Sequence, residues 1–125
     1  MSVVFIYGCS IVLGVELSPW TKIGPNFWVP HPHNFALNAS VQVGRNCMIR
    51  HGVTIGNTSS LDRADTPSPV IGDNVEIGVG AVIIGDISVG NDARIGANSV
   101  VTSDVPPGAL ALGNPARILR SDVAP

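Results

Sequence analysis

Three imidazoles carry most of the chemical potential of this 125-residue chain: His31, His33 and His51, its only histidines. An imidazole titrates near neutral pH, so it can take the proton of a hydroxyl as that hydroxyl attacks, or bind zinc as the neutral ring. His31 lies two residues after the aliphatic Val29, and His51 two residues after Ile49. The two are 20 residues apart, and His33 shares the stretch HPHN with the first. Arg63, in the polar run NTSSLDRADTPSP, offers a planar fork that suits a carboxylate. Cys9 and Cys47 are too few for a disulfide framework, and no C-x-x-C is present.

What positions these residues is a repeat of six. Ile71, Ile77, Ile83, Val89, Ile95 and Val101 recur at that step, and four positions after each comes a mostly small residue: Val75, Ala81, Ile87, Ala93, Ser99, Val105. A helix wants apolar residues at three-and-four spacing and a strand wants alternation, so neither accounts for the pattern. A strict short period marks a solenoid, in which stacked repeats share a core that none could bury alone. Six residues fit one short strand and one corner, so three sixes close a triangular coil of 18. The phase extends back through Ile55, Ile49, Val43 and Leu37, and then through Ile23, Leu17, Ile11 and Phe5.

Two breaks interrupt the phase. Val29 to Leu37 is eight residues, a two-residue insertion around HPHN. Ile55 to Ile71 is sixteen, taken as two sixes and a four-residue loop. Solenoid insertions gather on the surface and commonly carry binding chemistry. With those lengths His31 and His51 fall in one slot on successive coils, and the next coil brings Asp73 to it. The expected column is His31, His51, Asp73, flanked by His33.

Composition narrows the function classes. Lys and Arg number 7 against 9 Asp and Glu, with no run of like charge, which argues against a nucleic-acid groove or a membrane-surface patch. An apolar content of 45% supports one continuous core. The N-terminal stretch SVVFIYGCSIVLGVEL lacks a basic leader, and Glu16 closes it short of a membrane span. A reducing, cytoplasmic setting is expected.

The stretches HGVTIGN (51–57), IGDNVEIGVGAVIIGDISVGNDARIGANSVV (71–101) and SDVPPGALALGNPARIL (103–119) resemble the hexapeptide-repeat acyltransferases. Within them, LSPWTKIGPNFWVPHPHNFALNASVQVG resembles the catalytic half of serine acetyltransferases. The resemblance implies an all-β, left-handed parallel β-helix of about five triangular coils. It would be one domain over 1–125 with an irregular tail from about 105. It implies acetyl-CoA as co-substrate, no metal, and a homotrimer with the cofactor groove between subunits. His31 would be the general base and Glu16, in place of the family's aspartate, would orient it. His33, His51 and Arg63 would bind the acceptor. Gly56, Asn57, Val79, Arg94, Ala97 and Arg117 would meet the cofactor, although glycines and exposed arginines also suit bare corners and edges.

Two departures bear on the acceptor. Pro30 stands where serine acetyltransferases have an aspartate for the amino group, and Ser68 where they have a second histidine. A sugar or nucleotide-sugar hydroxyl therefore suits the site better than serine. Two other functions stay open on the same fold. One is a zinc hydratase like the γ-class carbonic anhydrases, though His31 and His33 do not reproduce its ligand spacing. The other is a catalytically idle repeat scaffold.

Overall fold

The computed structural model describes residues 12–59 and 66–119. The candidates Phe5, Cys9, Ile11 and Arg63 lie outside the described residues. Among the described residues, fourteen short strands follow one another: β1 Glu16–Leu17, β2 Lys22–Ile23, β3 Ala36–Leu37, β4 Gln42–Val43, β5 Met48–Ile49, β6 Thr54–Gly56, β7 Val70–Ile71, β8 Glu76–Ile77, β9 Val82–Ile84, β10 Ser88–Val89, β11 Arg94–Ile95, β12 Val100–Val101, β13 Leu110–Leu112 and β14 Arg117–Leu119. They form three sheets, each collecting strands from successive coils: β1-β3-β6-β9-β12, β2-β4-β7-β10 and β5-β8-β11-β13-β14. We call these the first, second and third sheets. All pairings are parallel except β13 with β14. The chain is a triangular parallel β-helix, as the hexads imply.

The six-residue step has a direct physical basis. Each strand turns one aliphatic side chain inward, and the axis is a stack of such residues, among them Ile49, Ile55, Ile71, Ile77 and Ile83, all essentially sealed from solvent. The residue four positions later is also inside, at a corner, where space is tight. Val53, Val75, Ala81, Ala93 and Ser99 fill these slots with no exposure at all. Cys47 occupies the same slot, where burial pushes its thiol above the ordinary value, and its Sγ–H donates to the Gly72 carbonyl at 3.0 Å.

Two of the three corners share a backbone device. After the second sheet, Asn26, Asn46, Asn74 and Asp92 have φ between 58° and 64°. Asparagine and aspartate tolerate this left-handed conformation better than other side chains. Here the asparagines also bond one another up the stack, Asn26 Nδ2–H to Asn46 at 2.9 Å and Asn46 Nδ2–H to Asn74 at 3.2 Å. Gly44 serves a second need, close approach: a Cβ there would stand 2.6 Å from the Gly72 carbonyl oxygen on the next coil.

Register corrects one sequence expectation. Coils from Leu37 to Ile55 and from Ile83 to Val101 take 18 residues, but Ile55 to Ile83 takes 28. The interval from Ile55 to Ile71 is one six plus ten, not two sixes plus four. A six-residue period fixes an insertion only to within a multiple of six, so ten and four look alike in the sequence. Asp73 therefore follows the second sheet, while His51 follows the third. Pairing of Ile49 with Ile77 puts Val79 above His51 instead. Asp73 works within its corner: its carboxylate accepts the Arg45 N–H at 2.9 Å, and its own N–H donates to Asn91 at 2.8 Å.

The parallel ladder runs on to β13, after which the chain reverses and β14 pairs back antiparallel. That reversal covers what would be an open ladder edge. Because the inward aliphatics have no room to collapse around a void, Ile77→Ala should cost about 2–5 kcal/mol of stability, read as a lower urea midpoint with unchanged slope.

Candidate functional site

The site is built at the corner between the third and first sheets. In the second coil this corner carries the insertion, and proline shapes it. The His33 N–H donates to the His31 carbonyl at 2.8 Å, closing a three-residue turn about Pro32. Proline presets φ for such a turn. Asn34 then completes the corner at φ 57°, its N–H bonded to the Leu13 carbonyl at 2.8 Å. Both histidine rings of the turn are thereby held at the surface on a fixed backbone.

His51 stands one coil on, since Trp28 bridges Met48 and the two histidines follow these strands at equal distance. The His31 and His51 ring centroids are 5.6 Å apart with the planes at 85°, and those of His33 and His51 are 5.3 Å apart at 44°. His51 is the middle ring. It is partly buried, whereas His31 and His33 are exposed. Its backbone carbonyl accepts the Gly80 N–H at 3.1 Å, tying it to the coil above. Its Nδ1 is enclosed without any hydrogen-bond partner. Among the described residues, no group of three His, Cys, Asp or Glu side chains is arranged to hold a metal ion.

Above His51 the column continues through Val79 and Ala97, as the register of Ile77 with Ile95 requires. These two cofactor candidates therefore share the corner of the histidines. Gly56 and Asn57 lie at the opposite edge of the first sheet. Arg94 is on the outer face of the third sheet, between Glu76 and Leu110, and Arg117 sits in β14 opposite Leu112. Glu16 opens β1, exposed, with its N–H bonded to the Phe35 carbonyl at 2.9 Å. Phe35 closely follows the histidine turn, so Glu16 lies one coil before it. Among the described residues, no hydrogen bond or ion pair joins Glu16 to a histidine.

Ser68 proves to be internal. It is 6% exposed and its hydroxyl lies 2.8 Å from that of Ser40. It also donates to the Thr66 carbonyl at 3.1 Å and accepts from Asn57 Nδ2 at 3.3 Å. Asn38 Oδ1 accepts the Asn57 N–H at 2.9 Å. Together Asn38, Ser40, Asn57 and Ser68 clamp both stems of the ten-residue insertion against the neighbouring coil. Sequence reasoning missed this network. Its signal is the 28-residue interval from Ser40 to Ser68, the same as from Val43 to Ile71, legible only once the insertion is known to be ten.

Residues 68–103 match the family model described as bacterial transferase hexapeptide (six repeats). The chain is 41% identical over 105 residues to serine acetyltransferase 1, chloroplastic, of Arabidopsis thaliana, covering 84% of this chain and 33% of the relative. It is also 41% identical over 105 residues to the putative colanic acid biosynthesis acetyltransferase WcaB of Escherichia coli K12, covering 84% and 63%. Among solved structures, the serine acetyltransferase of Neisseria gonorrhoeae superposes with a TM-score of 0.85 at 38% identity, over 91% of this chain and 43% of that one. A serine acetyltransferase in complex with CoA does so with a TM-score of 0.84 at 35% identity, over 94% and 47%. The chain thus spans from a third to just under two thirds of these relatives and neighbours.

Removing the Ser68 hydroxyl would take away the acceptor of Asn57 Nδ2 and leave Ser40 only its bond to the Thr66 carbonyl. Ser68→Ala should therefore cost about 1–3 kcal/mol, measured as a shift of the denaturant midpoint.

Proposed function

Since the chain belongs to the hexapeptide-repeat acyltransferases and carries their left-handed parallel β-helix in its serine acetyltransferase-like form, we propose that it moves an acetyl group from acetyl-CoA to a small-molecule hydroxyl. The observation that carries this is the corner column itself: His31 exposed on a rigid turn, His51 beside it, and the small side chains of Val79 and Ala97 above. Such a column offers a base at one end and a shallow, small-walled edge along which an extended thiol-bearing arm can lie. A solved relative of this fold holds CoA, which supports the assignment of the donor.

In this mechanism His31 takes the proton of the acceptor hydroxyl as its oxygen bonds the thioester carbonyl carbon. When the C–S bond breaks, the imidazolium returns the proton to the leaving thiolate. Glu16 is assigned the steering of the His31 tautomer on the resemblance to serine acetyltransferases; in this structure its side chain makes no hydrogen bond to that ring. Gly56 and Asn57 contribute from the far edge of the first sheet, and Arg94 and Arg117 meet phosphate groups. Those residues lie apart on one chain, which favours a groove completed by neighbouring subunits of a homotrimer. No metal is needed for these steps.

The acceptor is a sugar or nucleotide-sugar hydroxyl. Ser68, in the place of a family histidine, is buried and committed to the loop clamp, so it cannot anchor an amino acid. Pro30 supplies no charge. Trp28, 62% exposed and three residues before His31, offers the flat apolar face on which a sugar ring stacks. The similarity to WcaB supports the same class. Arg63 remains a candidate for an acceptor carboxylate.

Steady-state kinetics with thiol release as readout tests this. His31→Ala should lose roughly 10²–10⁴-fold in turnover, with CoA affinity retained and Glu16→Gln falling between it and the wild type. Sugars should outperform L-serine in an acceptor panel, and exhaustive chelation should leave activity unchanged. Light scattering should give the mass of three chains; a stable, fully active monomer would refute the shared groove.

A further inference from the structure

His51 is set apart by the unequal surroundings of its two ring nitrogens. Nδ1 is enclosed by the chain itself and has no hydrogen-bond partner. Being sealed within one chain, it is beyond the reach of a ligand or a second subunit. Nε2 is not enclosed in this way, and the ring as a whole is only partly buried. No hydrogen bond joins His51 to His31 or His33; the rings touch by edge and tilt alone.

A neutral imidazole carries its proton on one nitrogen and accepts through the other. With the proton on Nδ1, a buried N–H would stand without an acceptor, an arrangement folded proteins almost never keep. With the proton on Nε2, only a buried lone pair goes unmatched, which is the more tolerable omission. Enclosure of Nδ1 therefore fixes the Nε2–H tautomer, and the open side of the ring is a hydrogen-bond donor. His33, resting on the ring at 5.3 Å, helps hold that orientation.

We infer that the His51 Nε2–H is the donor that receives the carbonyl oxygen of the thioester as that oxygen takes on negative charge. The inference rests on the acetyl-transfer reading above and deepens it by assigning the oxyanion group. Spacing agrees: base, attacking oxygen, carbonyl carbon and oxyanion form a chain of contacts of about 3 Å or less each. Base and donor must then stand several ångströms apart, and the two ring centroids are separated by 5.6 Å. In the step, the hydroxyl proton passes to His31, the new C–O bond forms, and the carbonyl electron pair moves onto the oxygen held by His51. Collapse restores the carbonyl and expels the thiolate, which His31 protonates.

Two measurements test the assignment. Long-range proton–nitrogen correlation spectra of histidine-labelled protein, with His51→Gln identifying the signals, should show His51 as the Nε2–H tautomer; an Nδ1–H pattern overturns the inference. Glutamine brings its amide nitrogen near the Nε2 position, whereas asparagine reaches only as far as Nδ1. His51→Gln should therefore keep kcat within about tenfold of wild type, while His51→Asn and His51→Ala lose roughly 10²–10³-fold in kcat with KM little changed. Asparagine matching glutamine, or a loss confined to acceptor KM, overturns it. If the intact protein releases no thiol with any acceptor, acetyl transfer fails and the oxyanion role with it, whereas the tautomer is judged by the spectra alone.

Discussion

Every strand among the described residues is two or three residues long, too short to satisfy itself. Its N–H and C=O groups, and its one inward aliphatic side chain, find partners only in the coils above and below. The whole structure depends on that stacking constraint. It demands flat rungs in register, a residue of fixed size at each inward slot, and corners tight enough to close a triangle. The site inherits its geometry from the same demand: His31 and His51 stand together because Trp28 and Met48 are paired rungs of one ladder.

Corner chemistry decides where the coil can be interrupted. After the second sheet the corner residues are asparagines and an aspartate with positive φ, and its asparagines are linked side chain to side chain. An insertion there would break the ladder of amides as well as the turn. The ten-residue insertion instead leaves the first sheet after Gly56, at the corner without that device, and it needs its own clamp of Asn38, Ser40, Asn57 and Ser68. The smaller insertion around His31 is accommodated by a proline-centred turn that ends in Asn34, so the left-handed corner position is kept. Function and irregularity coincide because only a departure from the hexad can lift side chains clear of the flat faces.

The core was almost wholly legible. Ile49, Ile77 and Ile95 are buried where the step of six puts them, and Ala81, Ala93 and Ser99 occupy the small inward slots. The pairing of His31 with His51 was legible as well, because a two-residue insertion has only one short interpretation. Asp73 was misplaced, since the longer insertion is known from the sequence only modulo six. The Ser68 clamp was hidden for the same reason, because its partner Ser40 is near only when the insertion is ten.

The sequence by itself determined the period, the inward residues, the β-helix and the nearness of two histidines, because a stacked repeat writes its packing into every sixth position. Tertiary structure alone decided what stands above those histidines, which hydroxyls are buried, and which nitrogen of His51 is shut away. Those facts depend on how many residues leave the coil and on the enclosure of single atoms, and neither leaves a periodic trace in the chain.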